Sequence, residues 1–205
     1  MDTIATAEVA LHARRVLERV MADGATAAAG RAWYPAARRV AEGIARDAGI
    51  ETETAAGVIA ALSPRVSWRF NQIYAWYVCC YGPAEWRARY RADNGNGAGV
   101  TRRNEAAAVR ILTSRSVTFP ATSPKPAAFW DNIMRPAESV AVALDSWMMR
   151  EVMGLPADRV RGGVKPAAYH RLADVFRSVA ADVAPAEAPC TVQAAGWVAV
   201  RGGAE

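Results

Sequence analysis

Asp145 follows five apolar residues, Val140 to Leu144, and precedes a helical pattern from Ser146 to Met153. A carboxylate therefore stands at a helix amino terminus beside a segment the sequence buries. As a cap, such a side chain accepts hydrogen bonds from first-turn amides and steadies the helix by about 0.5–2 kcal/mol. As a fixed anion, it stabilises a developing cation and orients water. Lys125 lies twenty residues earlier, at the start of a helix expected from Pro124 to Met134. A cation there faces the positive end of the helix dipole, so an anion should stand nearby. A phosphate contact and a solvated surface lysine are the two readings the residues leave open.

Other residues fit contacts to a polynucleotide. Arg65, Ser67 and Trp68 lie in a polar turn before Asn71, where these four either contact a polynucleotide strand or simply cap the turn and fill the core. Arg102 and Arg103 form a phosphate patch or a solvated helix start, and Ser123 precedes the Lys125 helix. Trp33, Tyr34 and Trp130 either stack on a base or pack in the core. Trp197 reads as core.

Several chemistries lack their residues. No glycine-rich segment ends in Gly-Lys-Ser/Thr, which disfavours a P-loop enzyme. His12 and His170 lie far apart in sequence, so neither a metal site nor a cofactor is expected. No nucleophile elbow supports Ser-His-Asp chemistry. Cys79, Cys80 and Cys190 give no disulfide framework or Cys-x-x-Cys pattern and read as buried or free thiols.

The elements that position these residues read as helices throughout. Val9, Val16, Leu17 and Val20 form the stripe of a first helix from about Ala7 to Met21, which Gly24 and Gly30 are expected to break. A second helix is expected from Pro35 to Ala48, and a third, capped by Thr52 or Thr54, stops at Ser63-Pro64. Ser67 opens an aromatic helix that ends at Gly82-Pro83 and reads as the most buried, followed by a short helix from Pro83 to Arg91. A glycine-rich loop spans about 94–100. Further helices are expected over Thr101 to Leu112, Pro124 to Met134, Ser146 to Met153, Pro166 to Ala181 and Ala188 to Val200. One local echo stands out: Lys125-Pro126-Ala127-Ala128-Phe129 against Lys165-Pro166-Ala167-Ala168-Tyr169.

At 205 residues the chain suits a single all-α domain over 1–205. Its 52% hydrophobic content is rich in alanine, so the heavier core should come from Leu, Ile, Val, Met and the seven Trp. No apolar run approaches a membrane span, and the amino terminus does not read as a signal peptide. No membrane association is expected, and the expected location is the cytoplasm. A net charge of +5 suits a polyanionic partner. Lys125 and Lys165 are the only lysines, and coding bias or selection for bidentate phosphate contacts would each explain the excess of arginine.

The segment from Val58 to Asn71, with its Leu62-Ser63-Pro64 turn, resembles the helix, polar turn and helix near the start of the helix-hairpin-helix DNA glycosylases. Val140 to Val152 resembles that family's Val-Asp-Thr-His-Val-x-Arg signature, with Asp145 on the aspartate and Arg150 near the arginine. Gln193 to Gly202 is similar to its Trp-containing closing helix. The likeness spans roughly residues 55 to 203. It implies two helical lobes around a cleft, DNA as partner, and cleavage or exchange of a base–sugar bond on a modified or damaged base. Asp145 would then stabilise an oxocarbenium-like sugar, and Lys125 would be the amine nucleophile of strand-cutting members.

Three departures stand against the likeness. The stretch Phe119 to Lys125 lacks the hairpin glycines, Trp147 replaces the histidine, and no cluster-binding cysteines are present, so no iron–sulfur cluster is implied. The chain is also similar to small proteins encoded by phages of actinobacteria, sharing the Trp33-Tyr34-Pro35 start and the Ala61-Leu62-Ser63-Pro64 turn. The rival expectation is a non-catalytic protein that binds DNA or a host factor.

Overall fold

The computed structural model describes residues 6–90, 99–161 and 163–201. Among these every regular element is helical: α1 (Thr6–Ala22), α2 (Gly24–Ala48), α3 (Thr52–Leu62), α4 (Trp68–Tyr90), α5 (Arg102–Ser114), α6 (Pro124–Met134), a π-helix (Met148–Val152), α7 (Ala157–Val160), α8 (Pro166–Val183) and α9 (Pro189–Arg201). None is long and apolar enough to cross a membrane. The chain divides into two compact units, one built from residues 1–35 and 120–204, the other from residues 36–119. The expected loop over Asn94 to Ala98 lies outside the described residues.

In the first unit α1 packs on α8 and α9, and α9 packs on the π-helix. The α1 stripe buries Val9, Ala13, Leu17 and Val20, and α8 contributes Leu172, Phe176 and Val179 to the same core. The spacing of these residues fits one helix face turned to a shared interior. In the second unit α3 packs against α4 and α5. Every α3 residue from Thr54 to Leu62 is buried. α4 was expected to be the most buried helix, but α3 takes that place, and Phe70 and Tyr81 of α4 stand exposed. Small side chains let α3 sit deepest: a Cβ on Gly57 would meet Val117 at 2.8 Å and Ile111 at 3.0 Å. Of the tryptophans, Trp86 is the largest wholly buried side chain.

Several boundaries differ from expectation. The first helix ends just before Gly24, as expected, but Gly30 breaks nothing. Gly24 begins α2, because Asp23 caps it: its carboxylate accepts from Ala25 N (3.2 Å) and Thr26 Oγ1 (2.6 Å), and its carbonyl from Ala27 N (2.9 Å). The bond from Thr26 leads in holding that carboxyl below its ordinary range. Gly30 sits inside α2, as does Pro35. The α3 cap position is Glu51 rather than Thr52 or Thr54, with no side-chain cap bond. Gly82 (φ 84°) breaks α4 before Pro83, as the sequence suggested. The helix expected over Ser146 to Met153 widens into π geometry, with Met153 N donating to Met148 O at 3.0 Å. All three cysteines are free, and burial leads in pushing the Cys79 thiol up to about 12.

Gly30 carries a requirement the sequence did not reveal. A Cβ there would lie 2.5 Å from both Cα and Cβ of Ala195, so α2 and α9 touch backbone to backbone at this point. The helix-propensity cost of glycine, about 1 kcal/mol, is offset by that approach. Gly30→Ala is expected to destabilise the protein by about 1–3 kcal/mol or more despite its better helix propensity, read as a lower urea midpoint. Gly24→Ala has no neighbour within 4 Å and is expected to leave the midpoint unchanged or raised.

Candidate functional site

Residues 140–144 have no regular secondary structure within the helical first unit, and Val142, Ala143 and Leu144 are buried. A non-helical segment among helices has no regular bonding pattern to satisfy its amides and carbonyls. Tyr169 of α8 supplies the missing partner. Its hydroxyl donates to Val142 O (2.9 Å) and accepts from Leu144 N (3.0 Å). Burial first, with a smaller push from Asp145, holds this hydroxyl far above its ordinary range, so it stays protonated for both bonds. The stretch is turned upstream by Ser139, whose Oγ accepts from Ala141 N (3.1 Å) and donates to Asp131. Asp131 also pairs with Arg135.

That stretch delivers Asp145. Its Oδ1 accepts from Met148 N at 2.8 Å and its carbonyl from Met149 N at 3.0 Å, the geometry of an N-cap. Its Oδ2 accepts from Trp197 Nε1 at 3.1 Å, which ties it to α9. The carboxylate is half-buried. Gly196, beside that tryptophan, lets α9 lie close to Met148 and Val152.

Lys125 occupies the second position of α6 after Pro124, and it too is half-buried. Burial pulls its ammonium below the ordinary lysine range, and the attraction of Asp145 opposes this. The residue expected to need an anion thus has Asp145 acting on it through space.

Aromatic rings complete the cluster. Trp33 lies edge-on to Trp197 (centroids 5.4 Å apart) and to Tyr34 (4.8 Å), and tilted against Phe129 (5.9 Å), one helical turn after Lys125. The Tyr34 hydroxyl lies 2.6 Å from Gln193 Oε1 and 2.9 Å from the Asn132 amide. With its nitrogen turned toward Ser139 Oγ (2.7 Å), the Asn132 amide also reaches the Ala128 and Ala141 carbonyls. Burial leads in pushing the Tyr34 hydroxyl far up, with Asp145 among the charges that add to it. Trp147, half a turn beyond Asp145, is exposed, and the guanidiniums of Arg201 (5.2 Å) and Arg150 (5.6 Å) lie over its ring. Arg150 also pairs with Glu151 at 3.3 Å.

The first unit therefore brings together Asp145, Trp33, Tyr34 and Trp197, with Lys125 within reach of the aspartate's charge. Ser123 sits at the cap position of α6, with its amide on Pro120 O (2.8 Å), and Trp130 lies half-buried on the same helix. The remaining expected residues belong to the second unit. Arg65 is exposed in a left-handed conformation (φ 70°), backed by Gly99, where a Cβ would meet Arg65 O at 2.8 Å. Ser67 is exposed and its carbonyl accepts from Asn71 N, while Trp68 is half-buried. Asn71 is buried and donates to Ile59 O at 3.1 Å, tying α4 to α3. Arg102 and Arg103 are exposed in the first turn of α5, which Thr101 caps.

Sequence reasoning missed Tyr169 and the part played by Trp197. The signal for the first was the echo of the two Lys-Pro-Ala-Ala-aromatic starts: Phe129 ends one and packs on Trp33, whereas Tyr169 ends the other and uses its extra hydroxyl on the backbone.

Residues 3–204 match a family of unknown function, DUF7178. The chain belongs to that family. Neither a curated protein nor a solved structure matches it.

Two measurements check this geometry. Tyr169→Phe leaves Leu144 N–H and Val142 C=O without their partner and is expected to cost about 1–3 kcal/mol in urea denaturation. Lys125→Met is expected to stabilise the protein at neutral pH. A lysine whose folded pKa is lowered carries its full desolvation cost below that pKa, where both states hold the proton. The cost is relieved as pH rises through the folded value toward the unfolded one, because the unfolded chain then binds more protons. The advantage of the methionine variant should therefore shrink between pH 7 and the ordinary lysine range, and an advantage constant with pH would contradict the lowered pKa.

Proposed function

We propose that this protein acts on a base in DNA, cleaving or exchanging the bond between base and sugar. Asp145 is the fixed carboxylate and Lys125 the amine of the site. The observation that carries this reading is that Asp145, twenty residues from Lys125 in sequence, acts on that lysine's charge while being fixed by Trp197, whose ring packs with those of Trp33 and Phe129. A carboxylate held by two donors cannot swing away, and in surroundings poorer in water its field on a neighbouring positive centre is stronger. An oxocarbenium-like sugar is such a centre. A lysine with a lowered pKa holds a larger share of free amine near neutral pH, the form that attacks a sugar aldehyde carbon. The resemblance of residues 140–152 to the glycosylase signature points the same way. A modified or damaged base is the substrate this reading favours, and phage context adds the making of hypermodified bases.

A second reading has its own support. Both Asp145 oxygens already serve the fold, one as a helix cap and one on Trp197, as expected of a protein that keeps the scaffold only to bind DNA or a host factor.

Incubation with duplexes carrying a panel of modified and damaged bases, followed by mass spectrometry of released bases, decides between them. The excision reading expects a free or exchanged base whose release falls at least a hundredfold in Asp145→Asn. It also expects borohydride to trap a covalent adduct that Lys125→Met abolishes. Full activity in Asp145→Asn would sink the assignment of the carboxylate. DNA binding with no product from any duplex would favour the binder, and absence of DNA binding would leave a protein partner.

A further inference from the structure

Among the described residues six large apolar side chains are exposed, and half of them stand on α4 or in its first turns: Phe70 (50% exposed), Ile73 (36%) and Tyr81 (55%). With Tyr77, half-buried, they recur at spacings of three, four and four residues, so they line one face of the helix. Soluble proteins seldom leave a contiguous apolar stripe open without a use for it. The rings of this face are ordered by one another. Phe70 stacks on Tyr74 (centroids 5.8 Å, planes 26° apart), Tyr77 lies against Tyr81 (4.8 Å), and Tyr90 stands edge-on to Tyr77 (5.4 Å).

The charge around the stripe selects its occupant. The guanidinium of Arg89 lies over the Tyr77 ring, 5.7 Å from its centroid. Arg69 stands one turn before Ile73, on the stripe's flank, and Arg65 is exposed in the turn that leads into the helix. Glu85 is the one acidic residue of α4, and the carboxylate of Asp47 is bonded to Trp76 Nε1 at 3.0 Å. Exposed rings edged by arginines suit bases that stack and phosphates that pair. A partner helix or a second copy of this face would instead bring these arginines against apolar or like-charged surface.

We propose that the α4 stripe of Phe70, Ile73, Tyr77 and Tyr81, with Arg69 and Arg89 at its edges, is a stacking platform for an unpaired polynucleotide strand. Every base offers a π-face, so binding there is tolerant of sequence and prefers unpaired to paired strands. Strand binding by α4 uses neither Asp145 nor Lys125, so it stands or falls separately from base release.

Fluorescence anisotropy of the full chain with labelled oligo(dT), oligo(U) and a blunt duplex tests the platform. The single strands are expected to bind more tightly than the duplex, and comparison of the first two tells DNA from RNA. Phe70→Ala and Tyr81→Ala are exposed substitutions that should fold normally, and each is expected to weaken single-strand binding about fivefold to a hundredfold. Arg89→Gln should lower the slope of log affinity against log salt by about one. Leu11→Ala, an equally exposed apolar residue on α1, should change nothing. Single-strand binding that is absent, or unaffected by both aromatic substitutions, overturns the platform. Sedimentation showing a dimer that Phe70→Ala and Tyr81→Ala dissociate, without strand binding, would assign the stripe to self-association instead.

Discussion

A segment without helical hydrogen bonds cannot lie inside a helical unit unless something satisfies its backbone. Here a single phenolic oxygen meets that constraint, with Tyr169 accepting from one amide and donating to a carbonyl two residues earlier. Leaving a buried amide or carbonyl without a partner costs about 1–3 kcal/mol, a large part of the net stability of a domain this size. This non-helical stretch in turn sets where the following helix starts, and so where Asp145 is held. The Ser139 hydroxyl fixes the other end of the same stretch, and Asn132 joins it to Tyr34 and Gln193. Polar groups buried in this way give the first unit one arrangement rather than several.

Packing reinforces this order. Gly30 and Gly196 let neighbouring elements approach α9 closely, and Trp197 projects from that helix onto Asp145. The carboxylate is therefore fixed by its own first turn and by a distant helix. The π-helix beyond it accommodates Met148, Met149 and Val152 in the core while Trp147 stays exposed beneath two guanidiniums. Wide helical turns of this kind cost regular hydrogen bonding and tend to occur where a side chain must be aimed.

Much of the architecture was legible in the sequence. The all-helical class, the bounds of α6, the stop at Ser63, the break at Gly82 and the capping position of Asp145 all rest on local rules about proline, glycine and short polar side chains. What escaped was set by long-range contact. Gly30 reads as a breaker until Ala195 is seen against it, and α4 reads as the most buried helix because its rings are large, although the small residues of α3 pack more deeply. Of the candidate site, Asp145 and Lys125 were visible as types at helix starts, but their proximity was not. Trp197 reads as core from its spacing, yet its indole nitrogen is spent on the carboxylate. Asn71, grouped by sequence with the turn expected to contact a strand, is turned inward onto Ile59.

The double employment of Asp145 bears on how relatives of this chain should be compared. Because its oxygens cap a helix and anchor Trp197, a lineage that abandoned chemistry would still lose stability by discarding it, so its persistence would say little about catalysis. Lys125 is under the opposite pressure: burial makes its charge a burden, and a fold with no use for an amine there would drift toward an uncharged side chain. Retention of the lysine, not of the aspartate, is the more telling mark of a working site.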